Sequence, residues 1–403
     1  MSESTASPLG SWTLAALWAG AAISLAEIWS GGLLSPLGTV GGQAANLVGH
    51  LLGGLIFLGA AWISAKERRN SMAVLARPFG TPGPKVFAVF NILQLVGWTA
   101  VMIITGAIAL NTVTVTFGLA HFEQAGKIIL GILLLGWVFA GWKGVKTLNL
   151  AAVLLLLILT VVVTFLLLSK PDLAVPANAS PPSFPLGMEL VLSLPVSWLP
   201  LIGDYTSRSK KAKAGTWAST LGYAGGSLWM FSTGLLGTLK TGNSDPTQLM
   251  VTAGLGIAGV VVILLSTVTT AFLDVYSAGI SATALHSRWK EKPAALLLAA
   301  LGVIAALVFP MDQYVNFLYW IGAVFCPLYA VVMTDYFIFR KPPTQGAVKI
   351  WAFIAWAAGT GLYCTFLVVQ SPVGMTIPAA LASAVLYALA RKIIESQKAN
   401  ALA

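Results

Sequence analysis

Long apolar runs, each closed by a short polar or basic interval, recur along the whole chain. The clearest of them, Leu148–Leu168 (LNLAAVLLLLILTVVVTFLLL), contains no charged residue. A hydrocarbon core of about 30 Å is crossed by roughly 20 residues of helix, so each run is predicted to be a membrane-spanning helix. Twelve such spans are placed, at 11–37, 41–63, 86–111, 128–142, 148–168, 186–205, 216–239, 250–284, 294–310, 313–338, 350–370 and 374–390. No cleavable signal peptide is expected, because Met1–Ser11 lacks a basic stretch and the first run is too long and too interrupted to be a signal core.

Two of the runs are broken. The first carries one carboxylate, Glu27, followed by the helix-weakening Ser30-Gly31-Gly32 and Pro36. The sixth holds Pro195 and Pro200, which remove backbone hydrogen bonds. These spans lie five apart. Because five is odd, a second copy of a five-span unit must enter the membrane in the opposite sense, the inverted repeat of many secondary transporters. That reading divides a single integral domain, 1–403, into 11–168, 186–338 and two added helices at 350–390.

Within the third span Asn91, Gln94, Trp98, Met102 and Thr105 share one helical face, and in the eighth so do Ser266, Thr270, Asp274, Ser277 and Ser281, with Thr269 beside them. At 1.5 Å per residue, Asp274 lies roughly 18 Å and Thr270 roughly 24 Å from the end of the span near His286, which places both near mid-membrane. Polar stripes of serine and threonine also serve as glue between helices. A carboxylate is a poor choice for glue, so Asp274, like Glu27, is read as part of a transport site.

Composition agrees: 57% of residues are hydrophobic, 9% are charged and the mean hydropathy is +0.86, which excludes an ordinary soluble domain. The net charge of +10 could suggest nucleic acid, but its distribution assigns it to the membrane. With the N-terminus inside, all but three of the 23 lysines and arginines (Lys127, Lys170 and Lys240) fall on one side, so both termini are expected in the cytoplasm of a bacterial inner-membrane protein. The two cysteines, Cys326 and Cys364, lie in apolar spans and are read as packing residues rather than a disulfide or metal site. His50 is expected to be a hydrogen-bonded helix residue. Asp204 and Asp335, each in an Asp-Tyr pair followed by an arginine (Arg208, Arg340), are read as inner-surface ion pairs and helix-end anchors.

Four stretches, in this order and spacing, carry a resemblance that covers nearly the whole chain: GGLLSPLGTVGG after the first span, SWLPLIGDYTSRS at Ser197–Ser209, TTAFLDVYSAG at Thr269–Gly279 and FLYWIGAVFCPLYAVVMTDYFIFRK at Phe317–Lys341. Together they resemble the nucleobase:cation symporter-1 transporters, and the short length with Glu27 in span 1 is similar to the bacterial hydroxymethylpyrimidine permeases. The resemblance implies an all-α fold of twelve helices, the inverted repeat of the sodium-coupled amino-acid symporters plus two C-terminal helices. It implies a small heterocycle held between two tryptophans, here Trp98 and Trp198, whose indoles offer ring contact while edge groups set identity. The family's span 3 commonly has a glutamine one turn after the tryptophan. This chain has Met102 there and Gln94 one turn before. Where cytosine-type members show asparagines in span 8, this chain has Asp274.

A carboxyl group can accept from the amine of a 4-aminopyrimidine and give a proton to the adjacent ring nitrogen, so Asp274 or Glu27 would meet such a substrate, with Ser24, Gln94 and Ser197 beside them. By the same resemblance, a coupling sodium ion lies between the Gly20 and Ile23 carbonyls and the Ser266, Thr269 and Thr270 hydroxyls, an oxygen set suited to a hard cation. Coupling to H+ through Glu27 is the rival, since a buried carboxyl can carry its proton with substrate. The expected function is therefore cation-coupled uptake of a small aminopyrimidine, hydroxymethylpyrimidine as a thiamine precursor. Cytosine, another nucleobase or a hydantoin-like compound is the alternative. A monomer without cofactor is expected, with the bilayer as surroundings and no nucleic acid as partner. An enzyme would need a nucleophile or metal cluster and a channel a filter-like repeat, and neither is visible.

Overall fold

The computed structural model describes residues 8–116, 118, 120–140, 142–169, 183–243, 245, 256–286, 288–340 and 346–402, with backbone alone at 142–150, 152, 256–266, 346–348 and 398–402. Residues 250–255, Lys170 and Lys341 lie outside the described residues, as do the side chains of Lys143, Lys146, Ser266 and Lys398.

The described chain is helical: α1 (Ser11–Ala22), α2 (Leu25–Gly32), α3 (Gly38–Glu67), the short α4 (Ser71–Val74) and α5 (Ala76–Phe79), α6 (Pro82–Thr116), α7 (Glu123–Ala140), α8 (Trp142–Leu168), α9 (Phe184–Ser197), α10 (Leu199–Thr206), α11 (Ala212–Thr241), α12 (Gly256–Leu285), α13 (Glu291–Val308), α14 (Tyr314–Met333) with a π-helical end Thr334–Phe339, α15 (Gly346–Val368) and α16 (Thr376–Leu402). Among the described residues, nine helical stretches are long and apolar enough to cross a membrane. In lipid every backbone polar group must be satisfied within the protein, and helices do this segment by segment. The outward faces are correspondingly apolar, as at Leu51 and Leu55 on α3, Ile158 and Phe165 on α8 and Ile304 and Val308 on α13, all exposed.

The sixth predicted span is interrupted at its prolines, between α9 and α10. The first is interrupted at Ile23-Ser24 and not at Ser30-Gly31-Gly32, which is helical in α2. The glycines serve packing instead. A Cβ on Gly31 would stand 2.2 Å from the Phe231 carbonyl oxygen, and one on Gly234 1.9 Å from that of Ile28, so α2 and α11 meet backbone to backbone.

Packing between helices is paired. The α1/α2 segment lies on α11 and the α9/α10 segment on α3, while α3 contacts α11, α6 contacts α12 and α7 contacts α13. At one end of the bundle Leu9 forms a parallel bridge with Ser209, its N–H donating to Arg208 O (2.8 Å) and its carbonyl accepting from Lys210 N–H (2.9 Å).

The two aspartates read as helix-end ion pairs find other partners than the arginines beside them in sequence. Asp335 is fully buried and takes Arg77 Nε at 2.5 Å, Arg391 Nη1 and the Tyr387 hydroxyl at 2.5 Å. The π-helical turn that holds Asp335 is capped by Arg340, which has a positive φ of 60°. Asp204 accepts the Ser71 N–H at 3.1 Å, and the Ser71 hydroxyl accepts from Gly203 N–H at 2.8 Å, which clamps α10 to α4.

Candidate functional site

Both helix breaks are made by local hydrogen bonding. In α1 the ladder stops where Ser24 N–H turns to Ala22 O at 2.9 Å, leaving the Gly20 carbonyl without that helical donor. Ser24 is extended (φ −140°, ψ 160°) and its Oγ accepts the Glu27 N–H at 3.4 Å, the N-cap that starts α2. In the other segment Leu201 N–H bonds to Trp198 O at 3.0 Å, which releases the Ser197 carbonyl, and Gln94 Nε2 donates to that carbonyl at 2.9 Å. Gly203 N–H goes to Ser71, and the Leu199 carbonyl it would have met is taken by the Tyr329 hydroxyl at 2.6 Å. The cost of an unpaired buried carbonyl is thus removed by side chains from other helices.

Between the two breaks lies a small cavity lined by Ala21, Ser24, Ala26, Glu27, Trp98, Met102, Leu194, Trp198 and Asp274. Its volume is about 10 Å³, room for about one water, so a heterocycle enters only when the lining moves apart. Five sequence-predicted residues, Ser24, Glu27, Trp98, Trp198 and Asp274, meet here. Gln94 and Ser197 are buried beside it and hold the α9/α10 break: Gln94 also donates to Asn91 Oδ1 (2.7 Å), and the Ser197 hydroxyl donates to Leu194 O (2.6 Å).

The two carboxyl groups differ in what surrounds them. Glu27 Oε1 accepts from the Tyr223 hydroxyl at 3.0 Å and Oε2 from the Ser227 hydroxyl at 2.6 Å, both from α11. Asp274 is 2% exposed and, among the described residues, its Oδ2 has no hydrogen-bond partner, as is true of the indole Nε1 of Trp98. A buried polar atom without a partner is costly in a folded protein and marks a place where something else can bind. The indoles are braced edge-on: Trp198 by Trp18 (5.5 Å between centroids, 88°), and Trp98 by Phe317 (5.6 Å, 69°) and Tyr314 (6.1 Å, 79°).

Of the predicted sodium ligands, Thr269 and Thr270 are buried on α12, which touches the α1 that carries Gly20 and leads to Ile23. The Ser266 side chain lies outside the described residues. Sequence reasoning missed Tyr223 and Ser227, although Thr216, Thr220, Tyr223 and Ser227 step by helical intervals along α11 and pass the stripe test applied to the third and eighth spans. His50, on α3, is hydrogen-bonded within its helix as expected, its Nδ1 2.9 Å from Asn46 O, but it also reaches Ser227 Oγ at 2.6 Å.

Comparison with known proteins places this geometry among transporters. The chain is 24% identical over 338 residues to the cytosine permeases of Escherichia coli O157:H7 and of Escherichia coli strain K12, covering 83% of this chain and 79% of each of those proteins. Its fold is similar to that of Mhp1, a nucleobase-cation-symport-1 family transporter, in a closed conformation with bromovinylhydantoin bound (TM-score 0.81, 18% identity, 96% of this chain and 93% of that one). It is also similar to a Na+-coupled sialic acid symporter in a substrate-bound outward-open state (TM-score 0.66, 13% identity, 96% and 89%). The family model described as permease for cytosine/purines, uracil, thiamine, allantoin matches residues 6–348, and the chain belongs to that family.

Proposed function

We propose that this membrane protein is a secondary transporter that takes up a small 4-aminopyrimidine by alternating access, driven by a coupling cation. The observation that carries the reading is Asp274: a buried carboxyl with one oxygen unpartnered among the described residues, facing a cavity that also holds Glu27, Trp98 and Trp198. An amine next to a ring nitrogen matches a carboxyl that accepts from the first and serves the second with a proton, while the indoles contact the ring faces. Hydroxymethylpyrimidine, a thiamine precursor, is the proposed substrate. Cytosine presents the same edge, and the cytosine permeases among the relatives favour it as the second reading.

The paired packing supports twelve crossings arranged as two inverted five-helix halves, 11–168 and 186–338, with two helices added at 350–390. Exchanging the halves turns the contact of α1/α2 with α11 into that of α9/α10 with α3. For the coupling ion, Na+ would be held by the Gly20 and Ile23 carbonyls with Ser266, Thr269 and Thr270, whereas Glu27 would serve H+. The positive-inside charge distribution supports a cytoplasmic location for both termini.

The deciding experiment is uptake of radiolabelled hydroxymethylpyrimidine into proteoliposomes with excess unlabelled hydroxymethylpyrimidine, cytosine or leucine. Saturable accumulation blocked by unlabelled hydroxymethylpyrimidine and weakly by cytosine is expected. Stronger block by cytosine would move the assignment to the second reading, and no uptake of the label by folded protein would remove the hydroxymethylpyrimidine assignment.

A further inference from the structure

Behind Glu27, on the side away from the cavity, a hydrogen-bonded chain continues into the protein. Ser227 Oγ lies 2.6 Å from Glu27 Oε2 and 2.6 Å from His50 Nε2, and His50 Nδ1 lies 2.9 Å from the Asn46 carbonyl. Counting hydrogens fixes what this chain can hold. A carbonyl oxygen only accepts, so Nδ1 carries a hydrogen. Ser227 has one hydroxyl hydrogen and faces two groups, each at a distance that needs a hydrogen in between. If Glu27 were ionised and His50 neutral, both would be acceptors toward that single hydrogen, and one of the contacts would fail.

Two arrangements satisfy every contact. In the first, Glu27 is the neutral acid, its O–H donates to Ser227 Oγ, and the serine hydroxyl donates to the bare Nε2 of His50. In the second, Glu27 is a carboxylate accepting from Ser227, and an imidazolium His50 donates from both nitrogens. They interconvert when the carboxyl proton passes to Ser227 Oγ as the hydroxyl hydrogen passes to Nε2. Serine ends as it began, and one proton has moved from Glu27 to His50.

The groups that face the chain from the helices packed around it do not interrupt it. Tyr223 on α11 donates to Glu27 Oε1, Asp274 on α12 lines the same cavity, and Tyr314 on α14 bonds to Ser30 on α2. Against α3, Glu189 on α9 is held by Met375 N–H, Thr376 N–H and the Thr376 hydroxyl, Asp204 on α10 by Ser71 N–H, and Tyr329 on α14 donates to Leu199 O. Phe231 closes edge-on over the imidazole, with ring centroids 5.3 Å apart. His50 is buried and is not part of the cavity lining, so a proton on it is removed from the substrate.

We propose that Glu27, Ser227 and His50 form a proton-binding relay that couples uptake to proton movement, with Glu27 as the end that meets the substrate cavity and His50 as the end that takes the proton away from it. The proposal rests on the transporter reading above. It assigns His50 and Ser227 a proton-holding role behind Glu27, outside the substrate cavity.

The test uses the full-length protein in sodium-free proteoliposomes with an imposed pH difference, labelled cytosine or hydroxymethylpyrimidine, and a pH dye in the lumen. Wild type is expected to accumulate label and acidify the lumen with it. His50→Gln and Ser227→Ala are expected to keep exchange of label without a gradient, because neither residue lines the cavity. Both should lose about tenfold or more of the gradient-driven accumulation together with the acidification. Ser227→Thr, which keeps the hydroxyl, should retain coupling. Accumulation and acidification at wild-type level in both His50→Gln and Ser227→Ala would overturn the relay.

Should the wild type exchange neither label, the substrate reading fails and the relay is read without substrate. For this, infrared and 15N-histidine spectra are recorded on the protein in nanodiscs. The relay requires either a carboxylic C=O band lost in Glu27→Gln or an imidazolium signal lost in His50→Gln, and in either case a change on Ser227→Ala. A carboxylate Glu27 beside a neutral His50 overturns it.

Discussion

Asp274 carries more of the substrate proposal than either tryptophan, because an indole in a membrane protein has several uses and a buried carboxyl with an unpartnered oxygen has few. Asp274→Ala removes both the acceptor and the proton, and is expected to weaken equilibrium binding of a labelled aminopyrimidine by about 1.5–3 kcal/mol, the range for a hydrogen bond to a charged group. Asp274→Asn keeps one acceptor and one donor on the same edge and should lose less. Binding that is equal in wild type and Asp274→Ala would take the carboxyl out of the site. A parallel comparison applies to Trp98, where Trp98→Phe should retain more binding than Trp98→Ala if ring contact is what the position provides. Glu27 and Asp274 were legible in sequence because charge is rare in this chain. His50 was not, since its link to Glu27 runs through Ser227, 177 residues away along the chain, and only packing of α3 on α11 brings them together.

At the level of helices, the sixth span's break was legible because proline removes a donor wherever it stands. The first span's break was displaced for a physical reason. Ser24 and Glu27 have the spacing of an N-cap and its third helical residue, a signal for a helix start that glycine counting passes over. Glu27 does not complete that box, since its carboxyl is turned to Tyr223 and Ser227. Gly31 and Gly234 are set by the approach of α2 and α11, and a Cβ at Gly234 would have to displace the Ile28 carbonyl. Gly234→Ala is therefore expected to destabilise the folded protein by about 1–3 kcal/mol, as overpacking does. Gly225→Ala on the same helix meets nothing within 4 Å and should be near neutral. Thermal unfolding of the two variants in one detergent gives the comparison, and equal midpoints would show that the two helices separate without loss.

Across the whole molecule, one buried carboxylate joins parts that are distant in sequence. Asp335, at the end of α14, is held by Arg77 from α5 and by Arg391 and Tyr387 from α16, and the two guanidiniums also lie over Tyr336 (4.9 Å) and Phe339 (4.3 Å). The contact ties each proposed five-helix half to the C-terminal helix, which the sequence could not show, since the arginine nearest Asp335 in the chain is Arg340. Removing the aspartate takes from both arginines the one buried carboxylate they share and leaves Arg77 with Glu67 at 3.7 Å and Arg391 with Glu395 at 2.9 Å, both of them exposed carboxylates. Asp335→Ala should accordingly cost about 3 kcal/mol, the lower end for breaking a buried pair and still more than an exposed pair, because the carboxylates left to the arginines are solvent-facing. Removing Arg391 as well should restore part of that loss: the double variant Asp335→Ala, Arg391→Leu is expected to unfold above the single variant Asp335→Ala. If the double variant were less stable than the single one by the full effect of Arg391→Leu alone, the arginine would owe its place to its stem packing on Phe339 and not to the carboxylate, and the tie between the halves and the C-terminal helix would be apolar.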